Sequence, residues 1–308
     1  MEAGLIALGR GANCRFGIPP SSRGVRVPEL PEVELVLRRI SPDIIGRTIR
    51  DVALGNSRVI RPHSPARFRS EVRNHRIGKI WRRGKYLVFQ LRRGSARADR
   101  ILLLHLGMTG RVGTGLRELT PQRHMAAIFD LGDASLVFED PRQFGSLQLD
   151  GDVLKSLGPE PLEDSFSPEV LIERAGSSRR AIKVCLLDQA CIAGLGNIYA
   201  AESLFQSGIH PAREARGLKQ SEWERLYQSI REVLSSAIQR GMLGAEGLDS
   251  GPTPIFYRSN TGPRGEMLPQ PVFQVYDRSG SPCPACGTPV KRILQGGRST
   301  FFCPSCQR

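Results

Sequence analysis

Four cysteines near the C-terminal end form two C-x-x-C pairs, Cys283 with Cys286 and Cys303 with Cys306. Four thiolates in two close pairs are the ligand set of a closed tetrahedral zinc site, which keeps no position open for a substrate. Two disulfides are the alternative, but the other three of the seven cysteines stand apart, a usage typical of a reducing compartment. The tail therefore predicts one structural Zn2+.

The segment between the two cysteine pairs predicts a β-hairpin. VKRIL and STFF are strand-like, and Gly296-Gly297 between them supplies a tight turn. Arg298 then lies at or next to the tip of a ribbon held by the metal. At that place it is either a solvated turn arginine or a ligand for phosphate.

A second candidate for chemistry is the stretch VPELPEVE, residues 27–34, which sets two prolines and three acids before a helical pattern. A proline inside a chain has an amide nitrogen without a hydrogen, whereas a proline at the start of a chain has a free secondary amine of pKa near ~8. Such an amine attacks electrophilic carbon. Pro28 is therefore a nucleophile only if the working chain begins there; otherwise Pro28 and Glu29 form a helix entry.

Residues 1–27 show no organised pattern. The apolar run GLIALG is too short for a signal-peptide core, and no basic segment precedes it. We expect this segment to be a mis-assigned N-terminal extension. On this hypothesis codon 27 is a GTG start, and removal of the initiating methionine exposes Pro28.

The turn GLGNIY, residues 194–199, lies between two helical stretches. Glycines let a backbone approach closely, and Asn197 at a helix start is expected to leave amides free for an anion. It is not a nucleotide-binding P-loop, because no Gly-Lys-Ser/Thr follows. Alone it indicates an ordinary helix–helix turn, but three basic residues just upstream favour phosphate binding: Arg179, Arg180 and Lys183.

The amino-acid composition indicates what kind of partner the protein binds. The 308 residues carry 44 Lys and Arg against 30 Asp and Glu, a formal charge of +14. A surplus of this size, dominated by arginine, favours a polyanion such as nucleic acid. Hydrophobic residues make up 40%, without an apolar run of membrane-spanning length, so the pattern is that of a globular protein with room for two domains.

The elements that position these residues predict an α+β fold. A helix follows Pro31, with an apolar stripe of Val33, Val36, Leu37 and Ile40. Short strands follow at 77–81, 86–91, 101–104, 126–131 and 135–138, an order typical of an antiparallel sandwich. In residues 176–241 the apolar residues recur at helical spacing, and Ser221 with Glu224 predicts a capping box there. Residues 242–271, rich in Gly and Pro, predict a long loop.

Together these motifs resemble the formamidopyrimidine-DNA glycosylase family, bacterial DNA glycosylases with abasic-site lyase activity. The resemblance runs in order from Pro28 to Arg308 and includes PELPEVE, HLGMTG (105–110), DPRQFG (140–145), LGPEPL (157–162), the 194–199 turn and the cysteine tail. It implies an N-terminal helix plus β-sandwich, a helix–two-turn–helix domain and a zinc-finger hairpin. The implied boundaries are 28–156 for the catalytic domain, 157–175 for a linker, 176–275 for the helical DNA-binding domain with a lesion loop at 242–271, and 276–308 for the zinc finger.

The resemblance also implies catalytic roles. Pro28 matches the family's nucleophile, which attacks C1′ of the damaged nucleotide, and Glu29 matches the acid that protonates the departing base or the opening sugar. Lys85 matches the lysine assigned to proton donation in β-elimination and to phosphate contact. Arg298 matches the arginine of the δ-elimination step.

Seven further residues match the family's DNA contacts. Base extrusion leaves a hole in the duplex, and apolar side chains with a guanidinium suit its filling. The matching wedge residues are Met108, Arg142 and Phe144. The residues that fall where the family holds the DNA backbone are His124, Arg179, Lys183 and Asn197.

Three departures from the family pattern bear on specificity. Met125 follows His124 where a second histidine is common, Gln143 replaces an arginine, and 242–271 lacks the usual loop signature. The resemblance implies a monomer that acts on oxidised purines in damaged double-stranded DNA, in the bacterial cytoplasm at the nucleoid. Two alternatives stay open: an oxidised-pyrimidine glycosylase of the endonuclease VIII branch, and a non-catalytic zinc-ribbon DNA-binding protein if residues 1–27 are retained.

Overall fold

A computed structural model describes residues 28–94, 99–116, 124–243 and 273–308. The predicted N-terminal extension lies outside these residues. So does the predicted lesion loop, except for residues 242 and 243, which are the end of a helix. In the described part of the chain, no helix is both long and apolar enough to cross a membrane.

The N-terminal half contains two four-stranded antiparallel sheets. The strands are β1 (Asp51–Leu54), β2 (Arg76–Arg83), β3 (Tyr86–Arg92), β4 (Arg100–His105), β5 (Arg111–Leu116), β6 (Met125–Asp130), β7 (Ala134–Glu139) and β8 (Ser146–Gln148). One sheet has the order β1-β6-β7-β5 and the other β2-β3-β4-β8. The predicted antiparallel sandwich is confirmed. Sequence patterns missed β1, β5 and β8, which are short or contain glycine.

Helix α1 (Leu30–Ile44) links this sandwich to the rest of the molecule. It contacts β2, β3 and β5 through Val33, Val36 and Ile40, which belong to the core of the sandwich. Leu30, at the start of the helix, belongs instead to the core of the helical half. The second helix, α2 (Pro65–Val72), packs against β1. The first turn of α1, with Glu29 before it, therefore lies between the two halves.

The second half is helical. Its helices are α3 (Asp152–Lys155), α4 (Pro168–Ala175), α5 (Ile182–Leu187), α6 (Asn197–Gln206) and α7 (Gln220–Leu243). Helix α4 falls inside the range predicted as a linker. It packs on α7, and its Leu171 and Ala175 are part of the helical core. Helix α7 also contacts α1 and α6, so it holds the two halves of the site against each other.

The predicted capping box of Ser221 and Glu224 is wrong. Helix α7 begins at Gln220, so Ser221 lies within its first turn. Glu222 takes the capping role instead: its carboxylate accepts the Lys219 backbone N–H at 2.8 Å and is paired with Arg213. The arginine holds Glu222 in this role, two positions before the predicted Glu224.

The chain closes on the predicted hairpin of β9 (Lys291–Gln295) and β10 (Arg298–Phe302). Gly296 and Gly297 at its turn both have positive φ, 53° and 73°, which only glycine adopts without strain. The buried residues Val275, Val290 and Phe301 pack with Ala201 of α6 into a small third core. The hairpin is thereby fixed to α6.

Candidate functional site

The four cysteines of the tail lie together in the structure. Their sulfur atoms are all within 4.8 Å of one another, with Sγ–Sγ distances of 3.9 Å between Cys283 and Cys306 and 3.5 Å between Cys286 and Cys303. Zinc–sulfur bonds of about 2.3 Å in a tetrahedron place the sulfurs about 3.8 Å apart, so the cluster has the right size for Zn2+. All four thiols are free rather than paired in disulfides. The cluster is a structural zinc site, as predicted.

The centre of the site is the carboxyl group of Glu29, placed at the N-terminus of helix α6. Its oxygens accept the backbone N–H groups of Ile198 at 2.9 Å and of Tyr199 at 3.3 Å. Gly196 makes this approach possible, because a Cβ on it would lie 2.5 Å from Oε1 of Glu29. The expectation that the helix start leaves its amides free for an external anion is therefore wrong: the chain's own acid occupies them.

The environment of Glu29 favours a protonated acid. The residue is 1% exposed. Burial raises the pKa of its carboxyl group, against the opposing positive charge of Lys85 and the amides of α6. A buried carboxyl group with a raised pKa is suited to general acid catalysis.

Glu32 is a second buried acid beside Glu29. One of its oxygens accepts the Glu29 backbone N–H at 2.9 Å, and the other accepts the hydroxyl of Tyr199 at 2.6 Å. Burial raises the pKa of Glu32 to about 7, and the repulsion that arises when both carboxyl groups are ionised adds to this effect. Burial raises the pKa of Tyr199 well above its usual value. The hydroxyl therefore stays protonated and donates a hydrogen bond to Glu32.

Lys85 lies in the turn between β2 and β3, and a carboxylate of the segment before α4 fixes that turn. Glu160, 4% exposed, accepts the Gly84 backbone N–H at 2.5 Å and the guanidinium groups of Arg82 at 2.5 Å and Arg83 at 3.0 Å. Arg82 also bonds Glu34 of α1 at 3.1 Å. Three donors on one buried carboxylate hold the turn rigidly against both halves.

Lys85 and the groups around it change one another's pKa values. Burial lowers the pKa of Lys85, the attraction of Glu29 opposes that effect, and the positive charge of Arg298 adds to it. His105 at the end of β4 has its pKa lowered to about 4, by burial first and by Lys85 second, so its ring is neutral at physiological pH. Its ring contacts that of Tyr86, with centroids 4.8 Å apart.

The zinc hairpin approaches α5 and α6 through β10. Lys183 is fully buried and donates from Nζ to Oγ1 of Thr300 at 3.0 Å; burial lowers its pKa to about 7. Asn197 donates from Nδ2 to the Ser299 carbonyl at 3.0 Å. The hairpin covers Lys183 fully, whereas Asn197 is half-buried, and their contact with a DNA backbone stays a prediction. Arg298 at the start of β10 is exposed, and its charge acts on both Lys85 and Lys183.

The three predicted wedge residues are brought together by two loops. Asp140 accepts the Thr109 hydroxyl at 2.7 Å and the Gly145 N–H at 2.7 Å, which ties HLGMTG to DPRQFG. Gly107, with φ of 65°, lies so close that an added Cβ would come within 2.5 Å of the Phe144 carbonyl carbon.

The side chains on these loops differ in exposure. Phe144 is 56% exposed, and the guanidinium carbon of Arg142 lies 5.0 Å from the centre of its ring. Met108 is half-buried. A large exposed aromatic ring under an arginine, on a braced loop, is suited to insertion into a base stack.

The remaining predicted contacts lie at the edges of the site. His124, just before β6, has a φ of 75° and acts electrostatically on Glu139. Arg179 is exposed before α5. Pro28 is buried beside Glu29. The structure thus brings Glu29, Lys85 and Arg298 into one charged cluster.

Sequence patterns missed three residues of the site: Glu32, Tyr199 and Glu160. Each belongs to a motif that was noticed for another reason. Burial of an acid with its partner is not visible in spacing, because Glu32 and Tyr199 are 167 positions apart. A sequence signal existed only for Glu32, whose place three residues after Glu29 fits a capping box.

Comparisons with known proteins agree in order along the chain. Residues 27–147 match the family model of the formamidopyrimidine-DNA glycosylase N-terminal domain, and residues 157–247 match that of the formamidopyrimidine-DNA glycosylase H2TH domain. Residues 280–308 match the zinc finger found in FPG and IleRS.

Relatives and solved structures match over most of the chain. The formamidopyrimidine-DNA glycosylase of Symbiobacterium thermophilum is 43% identical over 91% of this chain and 89% of its own, and that of Geobacillus kaustophilus is 39% identical over 92% and 100%. The fold is similar to wild-type Lactococcus lactis Fpg (MutM) in complex with an N7-benzyl-Fapy-dG containing DNA, with a TM-score of 0.77, 33% identity and coverage of 91% and 100%. It is also similar to MutM (Fpg) from Thermus thermophilus, with a TM-score of 0.73, 38% identity and coverage of 91% and 98%.

Proposed function

Because this chain belongs to the formamidopyrimidine-DNA glycosylase family, we propose that it excises oxidised purines from duplex DNA and then cleaves the abasic site. The substrates are 8-oxoguanine and formamidopyrimidines. The observation that carries the proposal is the buried carboxyl group of Glu29 on the α6 amides, next to the charge of Lys85. An acid and a cation side by side are what base departure and phosphate binding require.

The nucleophile in this proposal is the secondary amine of Pro28. Its nitrogen forms a bond to C1′ of the damaged nucleotide while the glycosidic bond breaks, and Glu29 gives its proton to the departing base or to the opening sugar ring. Loss of the ammonium proton and opening of the ring leave an iminium ion joined to the DNA. This cation accepts electrons, so the flanking phosphates leave by β- and then δ-elimination.

The working chain in this mechanism begins at Pro28. Two observations support such a start. The N-terminal family model matches from residue 27. The whole length of the Geobacillus kaustophilus relative is matched by 92% of this chain.

Lys85 and Arg298 serve the elimination steps. Burial, with the positive charge of Arg298 and against the attraction of Glu29, lowers the pKa of Lys85, which makes it a better proton donor than a solvated lysine. The exposed Arg298, on a hairpin fixed by zinc, is placed to hold a phosphate and to favour its departure. The zinc stabilises this hairpin and takes no part in the chemistry.

DNA binding uses the wedge loops and the basic surface. Met108 and Phe144 fill the space of the extruded nucleotide, and Arg142 hydrogen-bonds the base left without a partner. His124 and Arg179 hold the backbone from the two halves, and each phosphate neutralised adds about −0.9 to the slope of log K against log salt. Lys183 is fully buried under the hairpin and reaches phosphate only if the hairpin shifts, whereas the half-buried Asn197 holds the backbone as it stands.

The experiment is side-by-side cleavage of duplexes that carry 8-oxoguanine, formamidopyrimidine or thymine glycol, by protein that begins at Pro28. We expect the two purine lesions to be cleaved faster. Faster cleavage of thymine glycol would assign the chain to the pyrimidine branch, and DNA binding without any cleavage would leave a non-catalytic zinc-ribbon protein.

The same proposal includes an oligomeric state and a place of action in the cell. The protein acts as a monomer, since one chain holds every group named above, and it works in the cytoplasm at the nucleoid. Sedimentation with and without duplex DNA tests the first point, and a dimer in the DNA complex would contradict it.

A further inference from the structure

Tyr199, a residue of helix α6, hydrogen-bonds the carboxyl groups of both Glu29 and Glu32. Its backbone N–H donates to Oε2 of Glu29 at 3.3 Å, and its hydroxyl donates to Oε1 of Glu32 at 2.6 Å. All three residues are at most 5% exposed. A further bond links the two residues, because the Glu29 backbone N–H donates to Oε2 of Glu32 at 2.9 Å.

Two buried acids in such contact do not both ionise readily, so over a range of pH they hold one proton between them. The mechanism needs this proton on Glu29, since only Glu29 has been given the task of protonating the leaving group. The α6 amides oppose that outcome, because hydrogen bonds from Ile198 and Tyr199 favour the ionised form of Glu29. A donor on Glu32 offsets this effect, because it favours ionisation of Glu32 over ionisation of Glu29.

We propose, on the basis of the proposed function, that Tyr199 is a positioning residue whose hydroxyl, by donating to Glu32, keeps the shared proton on Glu29. The hydroxyl stabilises Glu32 as the anion, as does the Glu29 N–H. The Glu32 anion in turn makes ionisation of Glu29 unfavourable. Tyr199 thus affects the protonation of Glu29 through the carboxylate of Glu32, and it contacts no reacting atom.

Other charged groups face the pair from every side, and the test keeps them unchanged. Lys85 acts on both acids, Lys183 acts on Glu29, and Arg240 of α7 acts on Tyr199. Arg298 acts on Lys85 and Lys183. Because all four are cations, they favour ionised carboxyl groups, and the retention of a proton depends on burial and on the two acids themselves.

A capping box explains part of the same geometry without any role in catalysis. That explanation accounts for the bond between the Glu29 N–H and Glu32. It gives no reason for a tyrosine of another helix to be buried with its hydroxyl on the same carboxylate. The pH dependence of the excision rate separates the structural role from the positioning role, because a purely structural bond does not change the pH at which the rate falls.

The test compares Tyr199→Phe and Glu32→Gln with wild type, in single-turnover excision of 8-oxoguanine between pH 5 and 9. Glu32→Gln removes the anion beside Glu29, and Tyr199→Phe removes the hydroxyl that stabilises it, so in both variants Glu29 loses its proton at lower pH. We expect the alkaline limb of the excision rate to move down by about one to two pH units, the size expected of a hydrogen bond to a charged group. Borohydride trapping on a preformed abasic site, where no base has to leave, should change less than threefold.

The matched control is Tyr227→Phe, which removes a hydroxyl in the same half of the molecule from a ring packed on Phe166. It should leave the profile unchanged. Equal loss of excision and trapping in Tyr199→Phe, with the alkaline limb in its wild-type place, would overturn the inference and leave a structural role. Absence of excision by wild type would instead refute the proposed function.

Discussion

Substitution of Gly196 by alanine tests the contact between Glu29 and helix α6. At Gly196 the backbone has φ of −133° and ψ of −160°, an extended conformation that alanine adopts without strain. The added methyl group would lie 2.5 Å from Oε1 and 2.7 Å from Cγ of Glu29. Ordinary contacts are about 3.5 Å, so the carboxyl group must retreat by about 1 Å.

The expected loss follows from that displacement. Glu29 loses its bonds to the Ile198 and Tyr199 amides, and a displacement of about 1 Å costs about 100-fold in rate, or about 2.7 kcal/mol in the barrier. Single-turnover excision of 8-oxoguanine measures it. DNA binding should be unchanged, because the methyl group points at protein.

A matched control is Gly217→Ala, where an added Cβ meets nothing within 4 Å. It should retain the wild-type rate. Excision by Gly196→Ala within threefold of wild type, with the folded state intact, would refute the role given to the cap on Glu29.

Three further predictions concern the zinc, the Lys85 turn and the buried lysine. Cys306→Ser should release zinc, measured by metal analysis, and weaken both DNA binding and strand cleavage, because the hairpin that carries Arg298 is no longer held; retention of cleavage without zinc would contradict this. Glu160→Gln should slow elimination at an abasic site more than it slows base excision, since it loosens the turn of Lys85; an equal loss in both steps would argue against it. Lys183→Met should raise the melting temperature at pH 6 and have a smaller effect at pH 10. The pKa of Lys183 falls from 10.5 in the unfolded chain to about 7 in the folded protein, so between these values the unfolded chain binds one more proton, and the cost of burying the charge is largest below pH 7. An equal difference in melting temperature at both pH values would contradict this account.

Short-range patterns predicted the parts of the molecule whose physics is local. The cysteine spacing was sufficient for the zinc site, because close pairs on tight turns bring four sulfurs together whatever the rest of the chain does. Alternation and turn residues were sufficient for β2, β3, β4, β6 and β7. The hairpin turn followed from Gly296-Gly297, where positive φ is needed.

Long-range contacts explain what the sequence did not show. The amides at the start of α6 were expected to be free, but Glu29 reaches them from 169 positions away. Lys183 was predicted to contact phosphate, and the hairpin 117 positions later covers it and gives it the hydroxyl of Thr300. Arg213 pairs with Glu222, which takes the capping role predicted for Glu224. In each case a partner distant in sequence decides the burial or charge of the residue.

The central claim is that the amine of Pro28 attacks the sugar, and borohydride trapping on an abasic duplex tests it most directly. Two forms of the protein are compared, one that begins at Pro28 and one shown by mass to retain residues 1–27. We predict a covalent protein–DNA adduct from the shorter form alone, and its loss or strong reduction in Pro28→Gly, which keeps an amine but weakens it. An equally efficient adduct from the form that retains residues 1–27 would contradict the mechanism.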